Sequence, residues 1–515
     1  MICSAAATAG LFLGSRSRGT AAPLPAIDRS TFASLAARVL EAARSAGASY
    51  ADIRVNRYRN QYIGTREEQV QWVSDDESLG MGVRVLAGGA WGFASGTALT
   101  AEEAVRIARE AVAIAKATSA LRRTPVELAP VQSYKDTWST PAVIDPFSLS
   151  IEEKATTLIE ANRAALGVEG TRFVNSTLFQ TLEHKFFAST EGSEIEQTIH
   201  RIWPSLSVTA VNSDGTDFQS CSAAAQPMGA GYEYVRQLDL AERARHAAEN
   251  AVAKLSAPSI TPGVRDLVLM PSHLWLVIHE SIGHATELDR ALGYEANYAG
   301  TSFVTVDNLR RLRYGSDVVS VVGDRTETGG LSTVGYDDEG VKASRFDIIR
   351  DGLFVGYQTT REQAGWIGEH ASHGCAYADS YSHVPMQRMP NVSLQPGAAA
   401  LSPNDLVSGI DDGVLIEGDG SWSIDQQRRN FQFGGQVFHR IKGGKIDGVY
   451  RDVAFQSMTL DFWRSCDAVC SKEHYALGGS YWCGKAQPGQ VAPVSHGSAP
   501  ARFRRVNFIN TGRKV

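Results

Sequence analysis

The stretch VIHESIGHATELD, residues 277–289, holds two histidines and a glutamate that directly follows the first of them. In the common H-E-x-x-H signature of zinc peptidases, the histidines stand at positions i and i+4 of one helix, so that both imidazoles reach the same metal ion. His279 and His284 are five residues apart, and on a regular α-helix this spacing rotates the second ring by roughly 140° from the first. The stretch therefore either binds a metal on a distorted helix or holds two ordinary buried histidines.

The residues around the motif predict that it lies on a buried helix. An unbroken apolar run occupies residues 274–278, and a helix that is apolar on most faces is a buried one. Charge in such a place must be paired, neutralised or bound to a metal. A single π-type turn, with a hydrogen bond from i to i+5, absorbs the extra residue and returns both rings to one face, and Gly283 eases this distortion. We therefore predict a π-turn inside the motif.

A catalytic zinc site would need a third protein ligand beside these two histidines, because zinc there takes three protein ligands and keeps one position open. The later part of the chain offers many histidines and cysteines, and the residues alone leave the choice open, Asp and Glu included. The candidates are His370, His373, Cys375, His383, His439, Cys466, Cys470, His474, Cys483 and His496.

Composition narrows the classes of partner. The chain has 515 residues, of which 43% are hydrophobic and 21% charged, as in ordinary globular proteins. The net charge of −6 and the lack of a Lys/Arg-rich run argue against nucleic acid as a partner. Six cysteines are too few for a disulfide-built scaffold in a chain of this length. No apolar run approaches the roughly 20 residues that span a bilayer, so no membrane partner is expected.

The first residues predict a tail or the remnant of an export signal over residues 1–29. SAAATAGLFLG followed by SRSRGTAAPLPA resembles the apolar core and small-residue end of a secretory signal, but no positive charge precedes the apolar stretch. A start site set too late, which removes a basic leader of the twin-arginine type, and a disordered tail both account for this pattern. The localisation is left open between cytoplasm and export.

Helical periodicity and alternating strands predict two α+β units in the first half of the chain. In the N-terminal domain, residues 30–125, a helix precedes three strands and a second helix that Thr100 caps. Prolines mark a linker after this unit. The central domain, residues 130–255, then has a helix, several strands and a long final helix that Asp239 caps.

From residue 264 onward the pattern changes to short strands separated by turn signals, which is typical of sheets or of a partly closed barrel. This predicts a large β-rich C-terminal domain at residues 260–515. The fold class predicted for the whole chain is therefore α+β, with two α+β units followed by this β-rich domain, which carries one buried helix with the histidine motif.

Several stretches resemble, in the same order, the TldD/PmbA family of metallopeptidases, and specifically its TldD type. They are GMGVRVLAGGAWGFAS, HESIGH, YAGTSF, YDDEGV, DGLFVGY, DSYSHVPMQRMPN and YWCGKAQPGQ. The resemblance implies that residues 260–515 form the metallopeptidase domain and that one zinc ion per chain is bound by His279, His284 and Cys483. It also implies that Glu280 is the general base that takes a proton from the zinc-bound water.

The resemblance further implies a peptidase that cleaves unfolded or short peptides inside an enclosed cavity between two subunits. Because this chain has the metal residues, it resembles the active subunit, and its partner is expected to be a metal-free paralogous subunit or a second copy of itself. Two alternatives stay open, namely a zinc hydrolase of small amides and a non-catalytic scaffold subunit of the same fold.

The chain also departs from the family pattern. LDRALGYEA after the second histidine is longer than the family pattern, so it leaves the access to the metal and the range of substrates open, and the end FRRVNFINTGRKV lacks the glycine-rich ending of the family. In DSYSHVPMQRMPN, the residues Tyr381, His383 and Arg388 either bind substrate, orient the site or have a structural role.

Overall fold

A computed structural model describes residues 28–121, 124–223, 225–485 and 488–512. The predicted tail or export signal, residues 1–29, lies outside the described residues except for its last two. Within the described ranges, no helix combines the length and the apolar character that crossing a membrane requires.

A large sheet is built from strands of the first half of the chain. Its strands are β1 (Tyr50–Arg66), β2 (Gln69–Ala87), β3 (Ala90–Gly96), β4 (Lys135–Ser139), β5 (Thr171–Ser189), β6 (Glu194–Val211) and β7 (Phe218–Ala223). Their order is β3-β2-β1-β5-β6-β4, with β7 beside β6, and only β4 pairs in parallel. β1 and β5 pair from Asp52 and Ser189 to Arg66 and Asn175. One continuous sheet therefore runs through both predicted α+β units, and the boundaries at 30–125 and 130–255 stay predictions.

In the described part of the first half, five α-helices accompany this sheet, and side-chain caps fix where several of them begin. They are α1 (Arg29–Ser45), α2 (Ala101–Thr118), α3 (Ile151–Leu166), α4 (Glu233–Gln237) and α5 (Leu240–Ser256). The hydroxyl of Thr100 accepts a hydrogen bond from the backbone N–H of Glu103, and the carboxylate of Asp239 does the same for Glu242. The two predicted caps are therefore confirmed.

The rest of the described chain has many short elements. Its strands are β8 (Gly263–Leu269), β9 (Val321–Asp324), β10 (Arg345–Arg350), β11 (Leu353–Phe354), β12 (Ala376–Tyr377), β13 (Met386–Gln387), β14 (Asn391–Leu394), β15 (Asp412–Ile424), β16 (Asn430–Lys442), β17 (Lys445–Tyr450), β18 (Val453–Met458), β19 (Cys466–Val469), β20 (Ala476–Lys485), β21 (Gln490–Ser498) and β22 (Ala501–Asn510). Its helices are α6 (Pro271–Ile278), α7 (Leu288–Ala291), α8 (Arg361–Ala364), α9 (Pro403–Ser408) and α10 (Thr459–Arg464).

Five of these strands close into a barrel. They pair in the order β15-β8-β22-β18-β16, and β16 pairs again with β15. The pair of β8 with β15 is parallel, and the other pairs of the ring are antiparallel. Aromatic rings fill the adjoining core, for example Phe462 stacked on Phe503 with 4.0 Å between ring centroids. The predicted α+β fold with a β-rich C-terminal domain is confirmed, and the barrel is fully closed.

The helix α6 leads directly into the histidine motif. It follows β8 and packs against β15 and the hairpin formed by β20 and β21, and nearly all its side chains are buried. A π-helical turn, His279–Gly283, continues it, and a short 3-10 turn, His284–Thr286, comes next. Both the predicted buried helix and the predicted π-turn are confirmed.

Candidate metal centre

The structure brings together the three residues that the family resemblance implies as metal ligands. One ligand atom each of His279, His284 and Cys483 lies within 4.8 Å of the others, and all three residues are buried. Across the described ranges, no other group of three or more His, Cys, Asp or Glu residues meets in this way. The two histidines come from the turns after α6, and Cys483 comes from β20, almost two hundred residues later in the chain.

The π-turn is what places both imidazoles on one side. The backbone N–H of His284 donates to the carbonyl of His279, five residues earlier, and the two ring centroids are 4.7 Å apart. Gly283 lies at a close approach, because a Cβ atom at this position would lie 2.7 Å from Sδ of Met389 and would force that side chain to shift. The hydroxyl of Ser281 donates to Val277 O and accepts from Nε1 of Trp463 at 2.9 Å, which anchors the turn in the core.

His284 lies between the thiol and a carboxylate. Its Nε2 is 3.6 Å from Sγ of Cys483, and its Nδ1 is 2.9 Å from Oε2 of Glu287. Oε1 of Glu287 accepts from Nζ of Lys485 at 3.0 Å, and Lys485 also donates to Asp289 at 2.9 Å. Burial raises the pKa of Glu287, but the charges of Lys485 and His284 outweigh it, and the pKa lies well below its usual value. The carboxylate is therefore ionised and holds Nδ1–H, so that Nε2 points to the cluster.

His279 has a different partner. Its Nδ1 is 2.7 Å from Nε2 of His496, and Nδ1 of His496 is 2.9 Å from the carbonyl oxygen of Val392 in β14. Burial lowers the pKa of His496 well below its usual value. His496, one of the candidates for the third ligand, thus lies behind His279 and outside the cluster.

Cys483 has the electrostatics of a thiolate. Burial raises its pKa, but the imidazoles of His284 and His279 lower it more, so that the pKa lies well below that of a free thiol. Burial lowers the pKa of His284, and the charges of Cys483 and Glu287 raise it above its usual value. The guanidinium of Arg388, itself buried, contacts the carbonyl of Cys483 and donates to Gln490 O at 3.0 Å, which holds the hairpin in place. Two imidazoles and a thiolate are a donor set that zinc prefers, so the residues fit this metal.

Glu280 is a buried carboxylate beside the first histidine. Its Oε2 forms an ion pair with the guanidinium of Arg428, which belongs to the turn between β15 and β16 and has a left-handed backbone with φ 65°. Burial raises the pKa of Glu280, but Arg428 and the nearby histidines lower it more, and the net pKa lies below its usual value. The side chain is therefore ionised and able to accept a proton.

The other residues noted in the sequence have structural surroundings. Nδ1 of His383 is 2.6 Å from Asp379, and the carbonyl of His383 accepts from Arg54 of β1. The ring of Tyr381 leaves no room for a side chain at Gly80 of β2. Both therefore join the C-terminal domain to the first sheet. The remaining ligand candidates also lie outside the cluster, namely His370, His373, Cys375, His439, Cys466, Cys470 and His474.

Sequence reasoning missed three residues around the cluster. Glu287 stands three residues after His284 in the stretch VIHESIGHATELD, and Lys485 belongs to the C-G-K segment. Because metal-binding histidines usually donate their second N–H to a carboxylate or another acceptor, the sequence could have indicated this pair. Arg428 comes from a turn far from the motif, and no local signal marks it as a partner of Glu280.

Comparisons with known proteins agree along the chain. Three family models match, described as PmbA/TldA metallopeptidase domain 1 at residues 51–115, central domain at 144–255 and C-terminal domain at 262–509. A metalloprotease from Methanocaldococcus jannaschii is 27% identical over 455 residues, covering 88% of this chain and 95% of that protein. A zinc metalloprotease TldD homolog from Saccharolobus solfataricus is 24% identical over 472 residues, covering 91% and 98%.

Structural similarity extends over the same length. The crystal structure of TldE from Thermococcus kodakarensis has a TM-score of 0.71 and 15% identity, covering 92% of this chain and 99% of that one. The fold, the donor cluster and these matches define a metallopeptidase. The chain belongs to the PmbA/TldD family, as the sequence resemblance predicts.

Proposed function

We propose that this chain is a zinc-dependent peptidase in which His279, His284 and Cys483 bind one zinc ion per chain. The observation that carries this proposal is the buried cluster of two imidazoles and a thiol with ligand atoms within 4.8 Å of one another. The pKa of Cys483, which His284 and His279 lower well below that of a free thiol, and the carboxylate behind His284 support it. When bound at three protein ligands, zinc supplies Lewis acidity, which polarises a peptide carbonyl and lowers the pKa of water.

In this proposal Glu280 is the general base. Its carboxylate directly follows the first ligand in the chain and is ionised, so it can accept a proton from the attacking water and deliver it to the leaving amine. Arg428 contacts Oε2, which assigns the proton transfer to Oε1. The contact with Nη1 of Arg428 also restricts the orientation of the carboxylate.

The proposed substrates are unfolded or short peptides that enter an enclosed cavity. The ligands and Glu280 are each at most 6% exposed, so only a thin extended chain can come close to them. The cavity would form between this chain and a metal-free paralogous subunit or a second copy of itself. The similarity of this fold to that of TldE supports a partner of the same architecture.

Metal content and peptide hydrolysis, measured on the same variants, test this function. We expect wild type to contain zinc and to cleave an unstructured polypeptide, with any required partner subunit added. Glu280→Gln should keep zinc and the fold but lose activity, by about 100-fold or more, because the base is removed while the ligands remain.

Cys483→Ala should lose both zinc and activity, and Cys466→Ala, a matched change at another buried cysteine, should keep both. If zinc stays in Cys483→Ala but is lost in Cys466→Ala, Cys483 is not the third ligand. Near wild-type hydrolysis by Glu280→Gln would remove Glu280 from the mechanism. If the protein hydrolyses small acyl amides but does not cleave a polypeptide, its function is that of an amide hydrolase and not of a peptidase.

A further inference from the structure

A hydrogen-bonded series of three buried groups leads away from the cluster: the ring of His279, the ring of His496 and the carbonyl of Val392. The carbonyl oxygen of Val392 faces Nδ1 of His496 at 2.9 Å, and Nε2 of His496 faces Nδ1 of His279 at 2.7 Å. His496 is fully buried on β21 and stacks on the ring of Trp275, with 6.4 Å between centroids and 12° between planes. The imidazole is therefore held between Val392 of β14, Trp275 of α6 and the ring of His279.

If His279 binds a metal, the donor and the acceptor of each hydrogen bond in this series are fixed. A carbonyl oxygen can only accept, so Nδ1 of His496 must carry a proton. The neutral imidazole then has a lone pair on Nε2, which can accept only from an N–H on Nδ1 of His279. A neutral His279 protonated on Nδ1 has its lone pair on Nε2, the nitrogen left to face the cluster.

We propose that His496 is a positioning residue that fixes His279 in the Nδ1–H tautomer, with the lone pair of Nε2 aimed at the metal. This inference rests on the proposed function, because it takes His279 as a ligand. His496 acts through His279 and does not touch the metal or the substrate. Its residue type follows from the geometry, since the site needs one group that donates to a strand carbonyl and accepts from an imidazole.

The two histidine ligands are thereby supported in different ways. His284 donates to the ionised Glu287, whereas His279 donates to a neutral imidazole. A carboxylate behind a ligand increases the basicity of that ligand and its electron donation to the metal. A neutral acceptor behind His279 orients the ring without adding a second negative charge. With zinc bound, this arrangement would leave more of the positive charge of the ion available for polarising a substrate than two carboxylates would.

Two substitutions of His496 separate its acceptor from its donor. In His496→Gln, the amide oxygen reaches the position of Nε2 and can still accept from His279. In His496→Asn, the shorter side chain can still donate to the carbonyl of Val392 but cannot reach His279. We expect zinc affinity, measured by competition with a chromophoric chelator, to fall about 10-fold to 100-fold in the Asn variant and much less in the Gln variant.

His273→Leu is the matched control, because His273 is equally buried on α6 and its Nδ1 donates to Gly418 O, away from the cluster. It should change thermal stability without changing zinc affinity. Cobalt-substituted protein gives a second readout: the absorption of the cobalt–thiolate bond should persist in the Asn variant while the ligand-field bands shift, because Cys483 stays and His279 turns.

The outcomes separate the two proposals. Absence of zinc in wild type contradicts the proposed function itself. Zinc in wild type with unchanged affinity in His496→Asn overturns only the role of His496. Equal losses in the Asn and Gln variants, or an equal loss in His273→Leu, also overturn it, because the acceptor would then not be what matters.

Discussion

Two histidines of one helical segment have opposite surroundings, and these surroundings decide what each can do. His273 and His279 are both buried and lie six residues apart. His279 faces other nitrogen and sulfur donors. Nδ1 of His273 donates to Gly418 O at 3.0 Å, and its Nε2 has no hydrogen-bond partner among the described residues. Protonation of His273 would bury an N–H without an acceptor, so this histidine is a neutral core residue.

This difference predicts a pH dependence of stability that belongs to His273. Burial lowers the pKa of His273 to about 4, from 6.5 in the unfolded chain. Between pH 6.5 and pH 4, His273 is protonated in the unfolded chain but neutral in the folded protein, so stability is lost as the pH falls through this range. Between pH 7 and pH 5 the loss from this group is about 2 kcal/mol. We expect His273→Leu to show a smaller decrease of Tm than wild type over this interval, measured by calorimetry with zinc in excess.

The control for this measurement is His246, which is exposed on α5. His246→Gln should leave the decrease of Tm between pH 7 and pH 5 as in wild type. A decrease in His273→Leu as large as that of wild type would show that the acid sensitivity comes from other groups.

At the scale of elements, the site depends on where one π-turn meets one hairpin. The turn His279–Gly283 passes so close to Met389 that any side chain at position 283 would force the methionine to shift. The hairpin of β20 and β21 brings Cys483 to the same place, and it also carries His496. His279, Cys483 and His496 therefore depend on the packing of two elements that are distant in sequence.

Gly283→Ala tests this packing. The added Cβ would lie 2.7 Å from Sδ of Met389, so that side chain must shift, whereas its 3.6 Å distance from Cε1 of His496 is an ordinary contact. Such overpacking costs about 1–3 kcal/mol, more than the helical preference of alanine over glycine returns. We expect a lower Tm and a weaker hold on zinc.

The double variant Gly283→Ala with Met389→Ala identifies the contact responsible. Because Sδ of Met389 is the atom nearest to the added Cβ, removing it should relieve the clash. The double variant should therefore lose less free energy of unfolding than the two single variants together, by about 0.5–3 kcal/mol. Gly365→Ala is the control, since a Cβ there meets nothing within 4 Å, and it should leave Tm and zinc unchanged. Additive effects of the two changes would mean that the strain lies elsewhere in the turn.

The parts of this site differ in how far sequence could predict them. That His279 and His284 lie on one face could be predicted from the local sequence. One extra residue in a helix can be accommodated in few ways, and a π-turn is one of them. Cys483 came from family resemblance alone, because its place depends on a hairpin that packs on α6 from far along the chain. The ring of β15, β8, β22, β18 and β16 could not be derived either, since alternation marks strands but not their partners.

At the scale of the whole molecule, buried ion pairs join the first sheet to the C-terminal domain. Nη1 of Arg84 on β2 contacts Glu339 at 3.0 Å, and Nζ of Lys185 on β5 contacts Asp338 at 3.0 Å, all buried. Two residues before Cys483, the buried ring of Tyr481 packs 4.7 Å from the ring of Phe179 on β5 and stacks on Trp203 of β6. Buried ion pairs of this kind add little net stability, because desolvation offsets their attraction. The strand that carries Cys483 is thus covered on one side by the first sheet.

This covering leads to the prediction that the substrate must be unfolded. The ligands are at most 6% exposed, and a folded surface loop is too wide to reach them past the covered strand, whereas an extended segment can also pair its free N–H and C=O groups with a strand edge. A small disulfide-bonded protein, offered once native and once reduced and carboxymethylated in the same buffer, should be cleaved only in the second form. The enzyme is used with its partner subunit where one is required, and Glu280→Gln serves as the control for contaminating proteases. Efficient digestion of the native form at its surface loops would mean an open cleft, and the enclosed cavity would have to be abandoned even if zinc and the ligands were as proposed.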